Sequence, residues 1–136
     1  MTVTAFVALG SNLGDRAGFL ATAREGFAAL DGVTITRATA IEETAPLGGL
    51  DQPAYLNQML RLETSLDARS LLGACHALER TAGRARHVRW DSRTLDVDLV
   101  RYGTMTCDRP DLRLPHPGLR DRPFWQRELA ALESDG

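Results

Sequence analysis

An α+β fold, with one antiparallel sheet and helices packed on a single face, is predicted by three observations on this chain of 136 residues. Four short segments are apolar or alternate between apolar and polar residues, as strands do. Two longer segments carry apolar residues at spacings of three and four, as amphipathic helices do. The two kinds occur in the order strand, helix, strand, strand, helix, strand. With 43% hydrophobic and 25% charged residues the composition suits one soluble domain. Nothing along 1–136 reads as a linker, repeat or low-complexity tract, so a single domain is expected.

Val3 to Leu9 is an apolar run closed by Gly10-Ser11-Asn12, which predicts a buried strand ending in a turn. Asp15 is placed to cap a helix whose stripe of Phe19, Leu20, Ala23, Phe27 and Leu30 ends near Asp31-Gly32. Val33, Ile35, Thr39 and Ile41 fall on alternating positions, predicting a half-exposed strand through Ile41. Glu42 to Pro53 holds two glycines and two prolines and predicts a long loop, a usual place for function. From Tyr55 to Thr64 alternation resumes, with Leu56, Leu60 and Leu62 on one face and Tyr55, Asn57 and Met59 on the other. A helix capped near Ser65 or Asp67 follows, burying Leu71, Leu72, Cys75, Leu78 and Ala82, with His76 and Glu79 towards its flank. Leu95 to Tyr102 supplies the last strand, and Trp125, Leu129 and Leu132 predict a short helix near the end.

The order βαββαβ most simply folds as two crossovers that build a four-stranded antiparallel sheet with both helices on one face. This is the ferredoxin-like sandwich, here with a C-terminal extension. Its second face is expected to lie open for ligands, with Tyr55, Asn57, Asp96 and Asp98 projecting from it. Fold alone does not decide function.

The formal net charge of −2 gives no global basicity, which argues against nucleic acid or anionic membrane as a partner. All sixteen basic residues are arginine, so lysine Schiff-base and P-loop lysine chemistry are excluded. Cys75 and Cys107 have no C-x-x-C spacing and form no recognisable metal cluster with His76, His87 or His116, so both are expected to be buried or incidental thiols. MTVTAFVALG lacks a basic n-region and no apolar segment reaches membrane-spanning length, so a cytoplasmic protein is expected.

Chemistry concentrates in Gly83 to Asp98, GRARHVRWDSRTLDVD, where four arginines and a tryptophan precede two aspartates spaced i, i+2. Arginine presents a permanently charged fork matching phosphate oxygens, and paired carboxylates present the hard oxygens that Mg²⁺ prefers. With Leu95, Val97 and Leu99 in a core, Asp96 and Asp98 share the opposite face, roughly 6–7 Å apart, with room for one or two cations that bridge to a nucleotide. The same segment also fits a solvated basic turn followed by a strand with a polar face. The order of the charges, the embedded Trp90 and the loop-forming Gly83 favour the site.

With these residues placed, the sequence resembles the 6-hydroxymethyl-7,8-dihydropterin pyrophosphokinase family of folate biosynthesis from about Ala5 to Phe124. The pieces that carry the resemblance are ALGSNLGDR, ETAPLGGLDQPAYLN, LERTAGRARHVRWDSRTLDVDLV and LPHPGLRDRPF. It implies transfer of the terminal diphosphate of ATP to the pterin hydroxymethyl group, leaving AMP. It implies two Mg²⁺ ions on Asp96 and Asp98, with Arg84 and Arg93 clamping phosphate oxygens and Arg86 and Arg89 closing over the site. His116 and Arg122 would reach ATP phosphates, and Glu79 the adenosine side or the arginine loop. Trp90 and Phe124 resemble the stacking pair for the pterin, Thr44, Pro46 and Leu47 would present backbone groups to the ring edge, and Asn57 would read that edge with Tyr55 beside it. Gly83 and Gly48-Gly49 would let both loops close over ATP.

Where the family usually carries Gly-Pro, this chain has Asp91-Ser92, a negative charge beside the phosphate clamp. The leading expectation is an active monomeric pyrophosphokinase with ATP and a dihydropterin as its partners. Two others stand beside it: a non-catalytic binding module on the same site, and a different metal-dependent enzyme such as a nucleotidyl transferase.

Overall fold

The computed structural model describes residues 1–45, 54–82 and 95–133. In chain order the elements are β1 (Val3–Ser11), α1 (Arg16–Ala29), β2 (Val33–Ala38), β3 (Glu42–Thr44), β4 (Tyr55–Thr64), α2 (Ala68–Thr81), β5 (Asp96–Tyr102), β6 (Cys107–Arg109), β7 (Leu112–Leu114), a 3₁₀ turn (Pro117–Asp121) and α3 (Pro123–Glu133). Asp15 caps α1 by accepting from the Gly18 N–H at 3.0 Å, and Asp67 caps α2 by accepting from the Ser70 N–H at 2.7 Å.

Among the described residues the main sheet has five strands, in the order β2-β4-β1-β5 with β3 also paired to β4, and each of these pairings is antiparallel. The strand expected through Ile41 stops at Ala38. There the Thr39 hydroxyl accepts the Met59 N–H at 2.9 Å, and a side chain replaces the carbonyl that would have continued the ladder. The chain then rejoins β4 as β3, inside the stretch expected to be loop.

Helices α1 and α2 pack on one sheet face over Ala5, Val7, Leu9, Leu60, Leu62, Val97 and Leu99. The other face carries Phe6, Ala8, Met59 and Val100, and it is not left wholly open: α3 covers these four residues through Trp125, Leu129 and Leu132, which are 4%, 6% and 1% exposed. The expected short helix therefore forms, and it turns the predicted two-layer sandwich into three layers.

The far end of α3 is held by a row of side chains across the sheet. Register shifts in β1–β5 and β2–β4 align Arg37 with Arg61, Arg61 with Phe6 and Phe6 with Arg101. Arg37 and Arg61 donate to the Leu132 carbonyl at 3.3 and 3.1 Å, and Arg101 pairs with Glu133 at 2.7 Å. Cations at a helix C-terminus meet its partial negative charge and its unpaired carbonyls. Arg61→Met, which keeps the aliphatic stem, is expected to lower unfolding stability by about 1–2 kcal/mol in a urea titration. An unchanged midpoint would mean that the apolar stripe alone docks α3.

Candidate active site

The candidate site lies where β1, β4 and β5 meet the start of α3. In register, Gly10 of β1 stands between Asn57 of β4 and Asp96 of β5, and one step along, Ala8 stands between Met59 and Asp98. Leu95, Val97 and Leu99 are buried on the helix side, so Asp96 and Asp98 face the α3 side as the alternation predicts. Gly10 adds no side chain to the floor of this row, and a Cβ there would rest in ordinary contact, 3.4 Å from Asn57 Oδ1 and 3.6 Å from Tyr55 Cδ1. Sequence reading passed over Gly10 as part of a turn; its signal is the strand register alone.

Asn57 is 5% exposed, and its amide donates to the Thr44 hydroxyl at 2.5 Å across the β3–β4 pair. Thr44 and Asn57 thus form one unit. Arg16, at the start of α1, donates to Glu43 at 3.1 Å and to the Ala54 carbonyl at 2.7 Å, joining β3 to the residue that precedes β4. The Tyr55 hydroxyl is pushed above its ordinary pKa first by burial and then by the charge of Asp96; Asp98 adds to the effect and Arg122 opposes it. These four side chains share one electrostatic neighbourhood.

His116 precedes the 3₁₀ turn. Its Nδ1 accepts from the Gly118 N–H at 2.9 Å, so the proton of the neutral ring sits on Nε2, 3.6 Å from Asp98 Oδ1. Trp125 lies against both phosphate-directed candidates: its ring meets His116 edge-on at 5.1 Å, and Arg122 Cζ lies 4.6 Å from its centroid. Phe124 is half-buried beside it, centroid to centroid at 6.5 Å.

Glu79 differs from its expected place on the flank of α2. It belongs to the buried row Leu71, Cys75, Glu79, is 6% exposed, and accepts the Val97 N–H at 2.8 Å. That bond fixes β5 between the two aspartates. Glu79 also lines a cavity of about 250 Å³ with Leu72, His76, Asp98, Arg113 and His116, among others. Cys75 is buried, and that burial pushes its thiol pKa well up, so it is inert at neutral pH. Pro46, Leu47, Arg84, Arg86, Arg89, Trp90 and Arg93 lie outside the described residues.

The donors suit a divalent cation. Two carboxylates stand on one side of a strand, and the Asp98 side chain is 37% exposed and accessible. Among the described residues no cluster of three or more His, Cys, Asp or Glu side chains could enclose a metal. Mg²⁺ needs no such cage, since it usually takes one or two carboxylates and completes its shell with waters and substrate phosphates.

A mixed α/β protein with paired carboxylates, a histidine and an arginine at one end of its sheet has the make-up of a metal-assisted phosphate-transfer enzyme. Residues 6–134 match the profile of the 7,8-dihydro-6-hydroxymethylpterin-pyrophosphokinase family, and the chain belongs to that family. It is similar to the 2-amino-4-hydroxy-6-hydroxymethyldihydropteridine pyrophosphokinase of Bacillus subtilis, at 37% identity over 97% of this chain and 79% of the relative. The enzyme of the same name from Pseudomonas aeruginosa is 36% identical over 96% of this chain and 80% of its own length. The mitochondrial folate synthesis bifunctional protein of Pisum sativum is 35% identical over 95% of this chain and 26% of its own. By family, the chain is a transferase of folate synthesis. Among the described residues no helix is long and apolar enough to cross a membrane.

Proposed function

We propose that the chain carries out the family's transfer at the end of the sheet where Asp96, Asp98, Asn57 and Tyr55 share one face. The reaction moves the terminal diphosphate of ATP to the hydroxymethyl oxygen of 6-hydroxymethyl-7,8-dihydropterin and leaves AMP. The hydroxymethyl oxygen attacks the β-phosphorus, the bond from that phosphorus to the α,β-bridging oxygen breaks, and the hydroxyl proton passes to solvent. Asp96 and Asp98 are the residues to hold two Mg²⁺ ions, which would supply charge neutralisation and alignment of the reacting oxygens. His116, through Nε2–H, and Arg122 donate to phosphate oxygens, with Arg84 and Arg93 assigned to the same clamp and Arg86 and Arg89 to closing over the site. Glu79 acts at the nucleotide end while holding β5 in register.

Asn57 and Thr44 read the pterin edge, with Pro46 and Leu47 from the adjoining loop; Tyr55 packs beside them, and Phe124 and Trp90 stack on the ring. The observation that carries this reading is the row Asn57, Gly10, Asp96. It sets the hydrogen-bonding edge and the metal-binding carboxylate two strand spacings apart, roughly 9–10 Å, on one shallow floor. A flat ring laid along that floor has its hydroxymethyl group at the carboxylates.

The β2-β4-β1-β5 order supports reading the sheet as ferredoxin-like, and the chain as one domain over 1–136. The exposed large apolar residues that the structure describes, Met1, Leu13, Ile41 and Met105, stand on four separate segments, which supports a monomer. Free Cys75 and Cys107 suit the reducing cytoplasm, and the net charge of −2 suits small-molecule partners over nucleic acid or membrane.

The test is AMP formation from ATP and Mg²⁺ by the purified chain. AMP is expected only when 6-hydroxymethyl-7,8-dihydropterin is present. Pterin-independent AMP, or none from a folded chain that binds both ligands, would overturn the proposal.

A further inference from the structure

We infer that Trp125 is a positioning residue for nucleotide binding: one indole ring orients His116 and Arg122 towards the phosphates without neutralising either. The inference rests on the reading that those two side chains meet ATP. Trp125 is 4% exposed in the first turn of α3, where packing against the sheet fixes its own position.

The Arg122 guanidinium lies 4.6 Å from the indole centroid and forms no ion pair among the described residues. A carboxylate in that place would hold the arginine equally well but would cancel the charge that a phosphate needs. An aromatic face attracts the cation through its quadrupole and leaves the donors on the guanidinium rim free. On the other side, the His116 ring meets the indole at 85° and 5.1 Å, with Nδ1 tied to the Gly118 N–H and Nε2 directed at Asp98. Two side chains that flank the turn are thus pre-ordered by one residue of the helix that follows. Such ordering spares the rotamer entropy that a long side chain otherwise loses when its ligand arrives.

The experiment is calorimetric titration with Mg²⁺ and a non-cleavable ATP analogue, on the intact chain and on Trp125→Leu, Trp125→Phe and Arg122→Met, with folding checked by circular dichroism. Trp125→Leu is expected to weaken the analogue about 5- to 20-fold, while Trp125→Phe, which retains a ring face, stays within about threefold. In an Arg122→Met, His116→Ala background, Trp125→Leu is expected to add less than about twofold, since its targets are gone. Should Trp125→Leu unfold, Trp125→Met takes its place in each comparison.

Equal losses in the leucine and phenylalanine variants would overturn the inference, because packing volume and not the ring face would then matter. So would an undiminished loss in the double background. Binding is read without turnover: a chain that binds the analogue and shows this pattern but makes no AMP leaves the inference standing and defeats the transfer reaction. A chain that forms AMP while all single variants bind normally does the reverse.

Discussion

Asp98→Ala is expected to lower pterin-dependent AMP formation about 10³-fold or more while leaving the fold unchanged. Metal-assisted charge stabilisation contributes several kcal/mol to such a transition state, and each 1.4 kcal/mol is a factor of about ten in rate. The structural cost is small because the Asp98 side chain is 37% exposed and its neighbour His116 Nε2 stands off at 3.6 Å. The strand is held by other residues: Val97 and Leu99 in the core, and the Glu79 carboxylate on the Val97 N–H. Unfolding stability is therefore expected to stay within about 0.5 kcal/mol of the parent. Pterin affinity without Mg²⁺ should also be retained, because Asn57 and Thr44 are untouched. A variant with near-normal turnover would sink the assignment of Asp98 to the metal, and one that unfolds would show that β5 depends on this carboxylate.

The placement of Asp96 and Asp98 was legible because Leu95, Val97 and Leu99 alternate with them, and a period of two admits one arrangement once a face is buried. The same logic put Tyr55 and Asn57 on that face through Leu56, Leu60 and Leu62. Polar segments carry no such signal. Glu42–Thr44 forms β3 because its backbone finds a free edge of β4, not because its side chains alternate. The hairpin of β6 and β7 was missed for a similar reason, since its three-residue strands are too short to show a period. Glu79 was misplaced because a carboxylate argues for a surface, yet it stands four residues beyond the buried Cys75, and the Val97 N–H offsets its burial. The helix through Trp125, Leu129 and Leu132 was foreseen. What its stripe would cover was not, since nothing in one amphipathic segment names the surface that it meets.

That covering helix carries the second large effect, on stability as a function of pH. Glu128 lies on the buried side of α3 at 4% exposure, and among the described residues neither carboxyl oxygen has a hydrogen-bond partner. Arg127 relieves it only in part, because its guanidinium is paired with Glu42 at 3.1 Å. Burial first, and then the nearby Glu42 charge, pushes the Glu128 pKa up to about 7, with Arg127 opposing. In the unfolded chain the same carboxyl loses its proton near about 4.3. Between those values the folded state binds more protons than the unfolded one, so this group makes stability fall as pH rises towards 7 and then level off. Asp67 acts with the opposite sign, since its bond from the Ser70 N–H holds its pKa below the usual range and its contribution is lost as pH falls. A difference curve separates the two. Glu128→Gln, neutral at every pH and similar in shape, is expected to match the parent at about pH 4, below the unfolded-state value, and to exceed its stability at pH 8 by about 1–2 kcal/mol, after allowance for screening by water. Urea titrations at intervals across that range measure the difference. Parallel curves would mean that Glu128 finds a partner or water in solution and ionises normally, and a parent that gains stability towards pH 8 relative to the glutamine variant would reverse the sign of the argument altogether.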